Sequence, residues 1–140
     1  MDKLIINPSP SIPEIVLSLE EDIYYIRGTS RPEDVRAIYY PVIEWIKSLS
    51  ERLLSGEITK YTKENPLRFQ IDLYYFNSSS AKFLYDIFLE LKHAQSGTCY
   101  LVVEWYYEEE DTDLLEAGKD IALLAEMEFK FIPKKGTSAE

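Results

Sequence analysis

"LRFQIDLYYFNSSSAKFLYDIF", residues Leu67–Phe88, decides how this chain folds. Its first ten residues alternate. Leu67, Phe69, Ile71, Leu73 and Tyr75 fall on one side, and Arg68, Gln70 and Asp72 on the other. A period of two is the mark of a strand with one buried face. A strand inside a doubly covered parallel sheet would be apolar on both faces. This one therefore predicts helices packed mainly on one side of the sheet. After Asn77 the period changes. Phe83, Leu84, Ile87, Phe88 and Leu91 recur at helical spacing, so a helix follows at once. Three consecutive serines, Ser78, Ser79 and Ser80, stand at the junction, where a helix cap needs only one of them.

Upstream, Leu4–Ile6 reads as a short strand broken by Pro8, Pro10 and Pro13. "EIVLSLE" (Glu14–Glu20) and "DIYYIRG" (Asp22–Gly28) are rich in β-branched and aromatic residues and read as a hairpin turning at Glu20, Glu21 and Asp22. "SRPEDVRAIYYPVIEWIKSLSERLL" predicts a long helix from Ser30, opened by a Ser30–Glu33 capping box with Pro32 in the first turn. Val35, Ile38, Val42, Ile46, Leu49 and Leu53 give it one apolar face, and Pro41 should kink or break it. "SGEITKYTKENP" is a polar loop.

Downstream, Gly97 ends the second helix and "TCYLVVEWYY" is a strand. The acidic "EEEDTDLLEAGKDIALLAEM" opens a third helix, as a helix N-terminus prefers. "FKFIP" is a last strand. The order is β-β-β-α-β-α-β-α-β. It predicts one α/β domain over residues 1–133, a sandwich of mixed sheet and helices, with residues 134–140 as a flexible tail.

The 140 residues fit one domain, and a composition 46% hydrophobic and 14% aromatic is enough for a core. The formal net charge of -10 argues against nucleic acid and anionic membrane as partners, since both require basic patches. The chain has a single cysteine, Cys99, so no internal disulfide can form and a reducing compartment is expected. With no signal-peptide pattern and no apolar run near the length of a membrane span, the expected location is cytoplasmic.

Chemistry is sparse. The sequence has no glycine-rich phosphate loop, no metal-spaced Cys/His set and no nucleophile elbow, so no enzyme, metal or cofactor is expected. The only histidine, His93, ends the helix that the serines begin. Fifteen residues of helix separate Ser78 from His93 by about 22 Å, which removes a serine–histidine pair. Glu108, Glu109, Glu110, Asp111 and Asp113 are a metal candidate, but such a run is more often a solvated helix start. Trp45 and Trp105 read as core anchors and Cys99 as a small buried hydrophobe.

Asn77, Ser78 and Ser79 remain, at a helix N-terminus with free amide protons and a positive dipole end. A phosphoryl group there would be stabilised, and would add almost two negative charges to an exposed surface. On composition alone the simpler reading is a cap with filler in the first turn.

Five motifs change that balance: "SIPEIVL" (Ser11–Leu17), "GTSRPED" (Gly28–Asp34), "YYPVIEWI" (Tyr39–Ile46), "LYYFNSSSAKFL" (Leu73–Leu84) and "VEWYYEEEDTDLLEAG" (Val103–Gly118). Together and in this order they resemble the SiaC family of bacterial regulatory phosphoproteins. The resemblance implies a fold similar to the STAS domains of anti-sigma-factor antagonists, which carry a phosphorylatable Ser or Thr where a strand gives way to a helix. In SiaC-like proteins the switch residue follows the Asn of an "N-[ST]-S-S" motif. That position is Ser78, a serine where the family usually has threonine, with Ser79 and Ser80 as fallback sites. The resemblance also implies a dedicated protein kinase, a PP2C-type phosphatase, and a diguanylate cyclase that the unmodified form binds and activates. That activation would raise cyclic di-GMP and favour biofilm. Asn77, Ser78, Ser79 and Lys82 are the expected partner-binding residues. The alternative is a constitutive acidic binding or scaffold module without phosphorylation.

Overall fold

Nine elements follow one another in the computed structural model, which describes residues 1–135. They are β1 (Leu4–Ile6), β2 (Glu14–Ser18), β3 (Ile23–Ser30), α1 (Val35–Leu54), β4 (Leu67–Phe76), α2 (Ser78–Gln95), β5 (Leu101–Glu108), α3 (Thr112–Ala125) and β6 (Phe129–Lys134). The order is the one the periodicities predict. The strands form one sheet in sequence order, β1 to β6. β1, β2 and β3 are antiparallel, whereas β3 to β6 are parallel.

This order fixes where the helices lie. Each parallel connection steps one strand further in the same direction. Right-handed crossovers that never reverse direction put every helix on the same face. The register agrees. Ile15 pairs with Ile26, Ile26 with Ile71, Ile71 with Trp105 and Trp105 with Phe131, all on the helix-covered face. Ile15, Ile26, Ile71 and Trp105 are essentially inaccessible to solvent. α1 and α2 bury Tyr39, Val42, Ile46, Leu49, Phe83, Leu84, Ile87 and Phe88 against them. The expectation of helices on one side therefore holds.

The opposite face is open and polar. At its centre the side chain of Glu104 is only 4% exposed. It accepts two bonds from Arg68, at 3.0 and 2.9 Å, one from Gln70 at 3.1 Å and one from Tyr106 at 3.1 Å. Burial raises its pKa, but these donors outweigh that and hold it below the ordinary glutamate value.

Three expectations about α1 and β4 are corrected. α1 does not begin at Ser30. Ser30 is the last residue of β3, and Asp34 is the cap, accepting from the Ala37 amide at 3.2 Å. Pro32 explains this, because its ring disfavours helical backbone at Arg31. Pro41 does not break α1, which runs on to Leu54. Tyr75 does not share the face of Leu73. The β3–β4 register slips so that Gly28 pairs with Leu73 but Thr29 with Tyr75, leaving Tyr74 as an extra residue. Beyond this bulge the alternation is inverted. Tyr74 and Tyr75 are 59% and 52% exposed, and Phe76 turns inward against the Trp105 ring, 5.8 Å away.

Trp105 is a core anchor as expected, 1% exposed, while Trp45 is half-buried and donates to the Asp2 carbonyl at 2.8 Å. Cys99 is half-buried, and burial raises its thiol pKa. The polar loop is fastened at Tyr61, which donates to Asp22 at 2.6 Å and lies 2.6 Å from the Tyr24 hydroxyl. Lys134, assigned above to the tail, is the last residue of β6 and forms an ion pair with Asp72. Residues 136–140 of that tail lie outside the described residues. No helix among the described residues is long and apolar enough to cross a membrane.

Candidate functional site

The parallel strands β3, β4 and β5 all end on one rim of the sheet, and each gives way there to a helix. That rim, outside the carboxyl ends of the strands, is where open α/β sheets place their sites. The β4–α2 junction lies in the middle of it. The bulge at Tyr74 sends Phe76 into the core, and Asn77 then stops the strand. Its backbone is extended, with φ -85° and ψ 175°, and its side chain accepts from the Ser80 amide at 2.9 Å. Its carbonyl accepts from the Ala81 amide at 2.9 Å. Asn77 is thus the N-cap, and Ser78 is the first residue of α2.

The three serines have three different surroundings. Ser78 and Ser79 are exposed, whereas Ser80 is fully buried. Ser80 Oγ lies 2.7 Å from Ser30 Oγ and donates to the Ser30 carbonyl at 3.1 Å. The Ser80 hydroxyl, a fallback site in the sequence reading, is thus enclosed and already bonded. The cap uses the amides of Ser80 and Ala81, so those of Ser78 and Ser79 are the first-turn amides without an intrahelical acceptor.

Lys82 stands one turn after Ser78, at the i+4 spacing that brings side chains together on a helix. It is exposed and pairs with Asp86 at 2.9 Å. Aromatic rings flank the junction. Tyr40 is 54% exposed and packs edge-on against Phe83, 5.7 Å away, and Tyr75 lies two residues before the cap. Asn77, Ser78 and Ser79 thus form the start of α2, and Lys82 lies one turn further on.

The neighbouring β5–α3 junction carries the acidic run. Asp111 caps α3 by accepting from the Leu114 amide at 2.9 Å, and Glu108 lies 3.8 Å from Lys134. These are structural uses of two of its carboxylates. Among the described residues, no three His, Cys, Asp or Glu side chains are gathered as metal ligands. His93 is exposed in the last turn of α2 at the far end from the serines, where a basic side chain complements the helix dipole.

Sequence reasoning missed Ser30 and Tyr39. Both are fully buried beneath the first turn of α2. The signal for Ser30 was Pro32, which argues against a helix starting at Ser30. Tyr39 follows directly from the observed α1, whose buried stripe runs Tyr39, Val42, Ile46, Leu49 and Leu53.

Residues 6–134 match the family described as SiaC family regulatory phosphoproteins. An uncharacterized protein of Pseudomonas aeruginosa (strain UCBPP-PA14) is 27% identical over 120 residues, which are 86% of this chain and 87% of that protein. The crystal structure of apo-SiaC from Pseudomonas aeruginosa superposes with a TM-score of 0.74 at 23% identity, over 96% of this chain and 99% of that one. A chain in the crystal structure of the diguanylate cyclase SiaD in complex with its activator SiaC, also from Pseudomonas aeruginosa, gives a TM-score of 0.77 at 24% identity. That match covers 95% of this chain and 99% of the other.

Proposed function

The chain belongs to the SiaC family of regulatory phosphoproteins, and we propose that it is a phospho-switch adaptor whose switch is Ser78. The observation that carries this reading is the placement of Ser78. It is exposed at the first position of α2, beside a cap that leaves the amides of Ser78 and Ser79 for an incoming anion. A kinase would move the γ-phosphoryl group of a nucleoside triphosphate to Ser78 Oγ, forming the O–P bond as the bond to the leaving diphosphate breaks. A PP2C-type phosphatase would return the hydroxyl by hydrolysis. Lys82 is within one turn and can turn from Asp86 to the new phosphate.

The partner reading follows the same surface. SiaC of Pseudomonas aeruginosa is an activator found in complex with the diguanylate cyclase SiaD. We infer a diguanylate cyclase as the partner of this chain, with cyclic di-GMP signalling as the output. The unmodified rim, with Asn77, Ser78, Ser79, Lys82 and the exposed rings of Tyr40 and Tyr75, is the docking surface. Phosphate on Ser78 adds bulk and charge where close packing is needed. It also adds to a rim already negative at Glu109, Glu110, Asp111 and Asp113.

The test is binding and cyclase activation by three forms of the chain with the diguanylate cyclase of its own host. Ser78→Ala should bind and activate like the unmodified protein. Enzymatically phosphorylated protein should lose both, and Ser78→Asp should lose them in part. Full activation by protein phosphorylated at Ser78 would overturn the proposal.

A further inference from the structure

Three buried hydroxyls lie beneath the switch turn, each from a different element. Ser30 ends β3, Tyr39 is on α1 and Ser80 is on α2, and all three are 0% exposed. Ser30 Oγ is 2.7 Å from the Tyr39 hydroxyl and 2.7 Å from Ser80 Oγ. Each hydroxyl has one proton to give. Ser80 donates its proton to the Ser30 carbonyl. The Ser30 proton then goes to Ser80 Oγ, and the Tyr39 proton to Ser30 Oγ. The donors run one way, from Tyr39 to Ser30 to Ser80 to the Ser30 carbonyl, with none left over. The same carbonyl accepts the Asn77 amide at 3.0 Å. One peptide oxygen thus holds both the cap residue and the third residue of α2.

Among the described residues, the hydroxyls of Ser30, Tyr39 and Ser80 bond only to one another and to the Ser30 carbonyl. Burial pushes the Tyr39 phenol up to about 12, so it remains a neutral donor at any physiological pH. Its ring is stacked on Phe83 at 5.8 Å and 9°, which fixes the direction of the hydroxyl.

We propose that Tyr39, Ser30 and Ser80 are positioning residues for Ser78, a hydroxyl clamp that fixes the first turn of α2 so that Ser78 is always held at its first position and in one orientation. This rests on the reading of Ser78 as the modified residue. A helix start held only by its cap opens readily. Ser78 and Ser79 are both exposed in the closed turn, and opening would remove the fixed difference in position and orientation between them that a kinase can read. The clamp prevents this by tying the turn to β3 and α1 from below, leaving the outer surface free. It also gives the triple serine its logic, with Ser78 presented, Ser79 beside it and Ser80 as the anchor.

The test compares the wild-type chain with Ser80→Ala and Tyr39→Phe. Ser80→Ala removes the link to α2, whereas Tyr39→Phe keeps the stacked ring and removes only the outer hydroxyl. Amide hydrogen exchange should rise about tenfold at positions 80 and 81 in Ser80→Ala, and less in Tyr39→Phe, with Phe88 unchanged. After incubation with ATP and a soluble extract of the host, the ratio of phosphate on Ser78 to phosphate on Ser79 should fall in the same order. Unchanged exchange at positions 80 and 81, or an equal rise along all of α2, overturns the clamp. An unchanged phosphate ratio despite faster exchange overturns its positioning role. Absence of phosphate on Ser78 in the wild-type chain defeats the switch reading instead, and the exchange result still decides the clamp.

Discussion

Replacing Gly118 by alanine should destabilise this protein, although alanine is the better helix former. Gly118 lies inside α3 directly over Trp105. A Cβ there would come within 2.6 Å of both Cε2 and Nε1 of the indole and 2.9 Å of Cδ1. Ordinary carbon contacts are about 3.5–4 Å, so the ring or the helix must move by about 1 Å. The ring is poorly placed to yield. It is stacked on Phe129 at 6.0 Å and 16°, meets Phe76 edge-on at 5.8 Å, and donates from Nε1 to the Leu114 carbonyl at 3.2 Å. Overpacking of this kind costs about 1–3 kcal/mol, and weakening the indole bond about 1 kcal/mol more. Alanine returns about 1 kcal/mol of helix propensity. The net loss is therefore about 2 kcal/mol, or a fall in Tm of roughly 5–10 °C for a chain of this size. Urea denaturation at pH 7 measures it, with the m-value unchanged between the two proteins. Gly97→Ala is the control, because the one close contact of its Cβ would be Leu54 Cδ2, at 3.0 Å, the far end of a flexible side chain, with backbone no nearer than 3.8 Å. A Gly118→Ala midpoint equal to or above that of the wild type would refute the close packing of α3 on Trp105. It would also remove the support for Phe76, the residue that delivers the chain to Asn77.

Three further outcomes are expected. Glu104→Gln should lower stability by about 1–2 kcal/mol at pH 7, toward the low end because Arg68 is more than half exposed. The Glu104 pKa is depressed in the folded state, so its contribution is present above the unfolded glutamate value and lost as pH falls through the folded one. Denaturation midpoints from pH 7 to pH 3 should therefore decline less steeply in the variant, and parallel curves would contradict the assignment. Asn77→Ala removes the α2 cap and should cost about 1 kcal/mol in chemical denaturation, with Asn77→Asp recovering most of it; equal losses in both would show that the side-chain oxygen is not the cap. Pro41→Ala restores a donor for the Ala37 carbonyl and should raise stability by about 1–3 kcal/mol in a thermal melt, whereas a loss would mean that α1 packs in a shape proline imposes.

Most of the architecture is legible in the sequence because each element has its own period and its own stop. The alternation of Leu67–Leu73 and the helical spacing of Phe83–Leu91 need no tertiary information. The order of strands in the sheet was not legible, since handedness fixes the side of each helix but not which strand the chain returns beside. The site was legible only in part. A cap at Asn77 or at one of the serines follows from helix chemistry, and the structure gives it to Asn77. The burial of Ser80 does not, since it depends on Ser30 and Tyr39, which are fifty and forty-one residues away in the chain. The bulge at Tyr74 was also hidden. One extra residue in a strand leaves no composition signal, yet it inverts Tyr75 and Phe76. Ser30 fits both a capping box and a strand end, which use the same residue types, and Pro32 is the residue that separates the two.

Phosphopeptide mass spectrometry on the protein isolated from its own host, grown both attached and free-swimming, tests the central claim most directly. Phosphate on Ser78 that changes in occupancy between the two states, with none on Ser80, is the predicted result. Ser78 unmodified in both states would contradict the switch and leave a constitutive binding module whose serines serve only to start a helix.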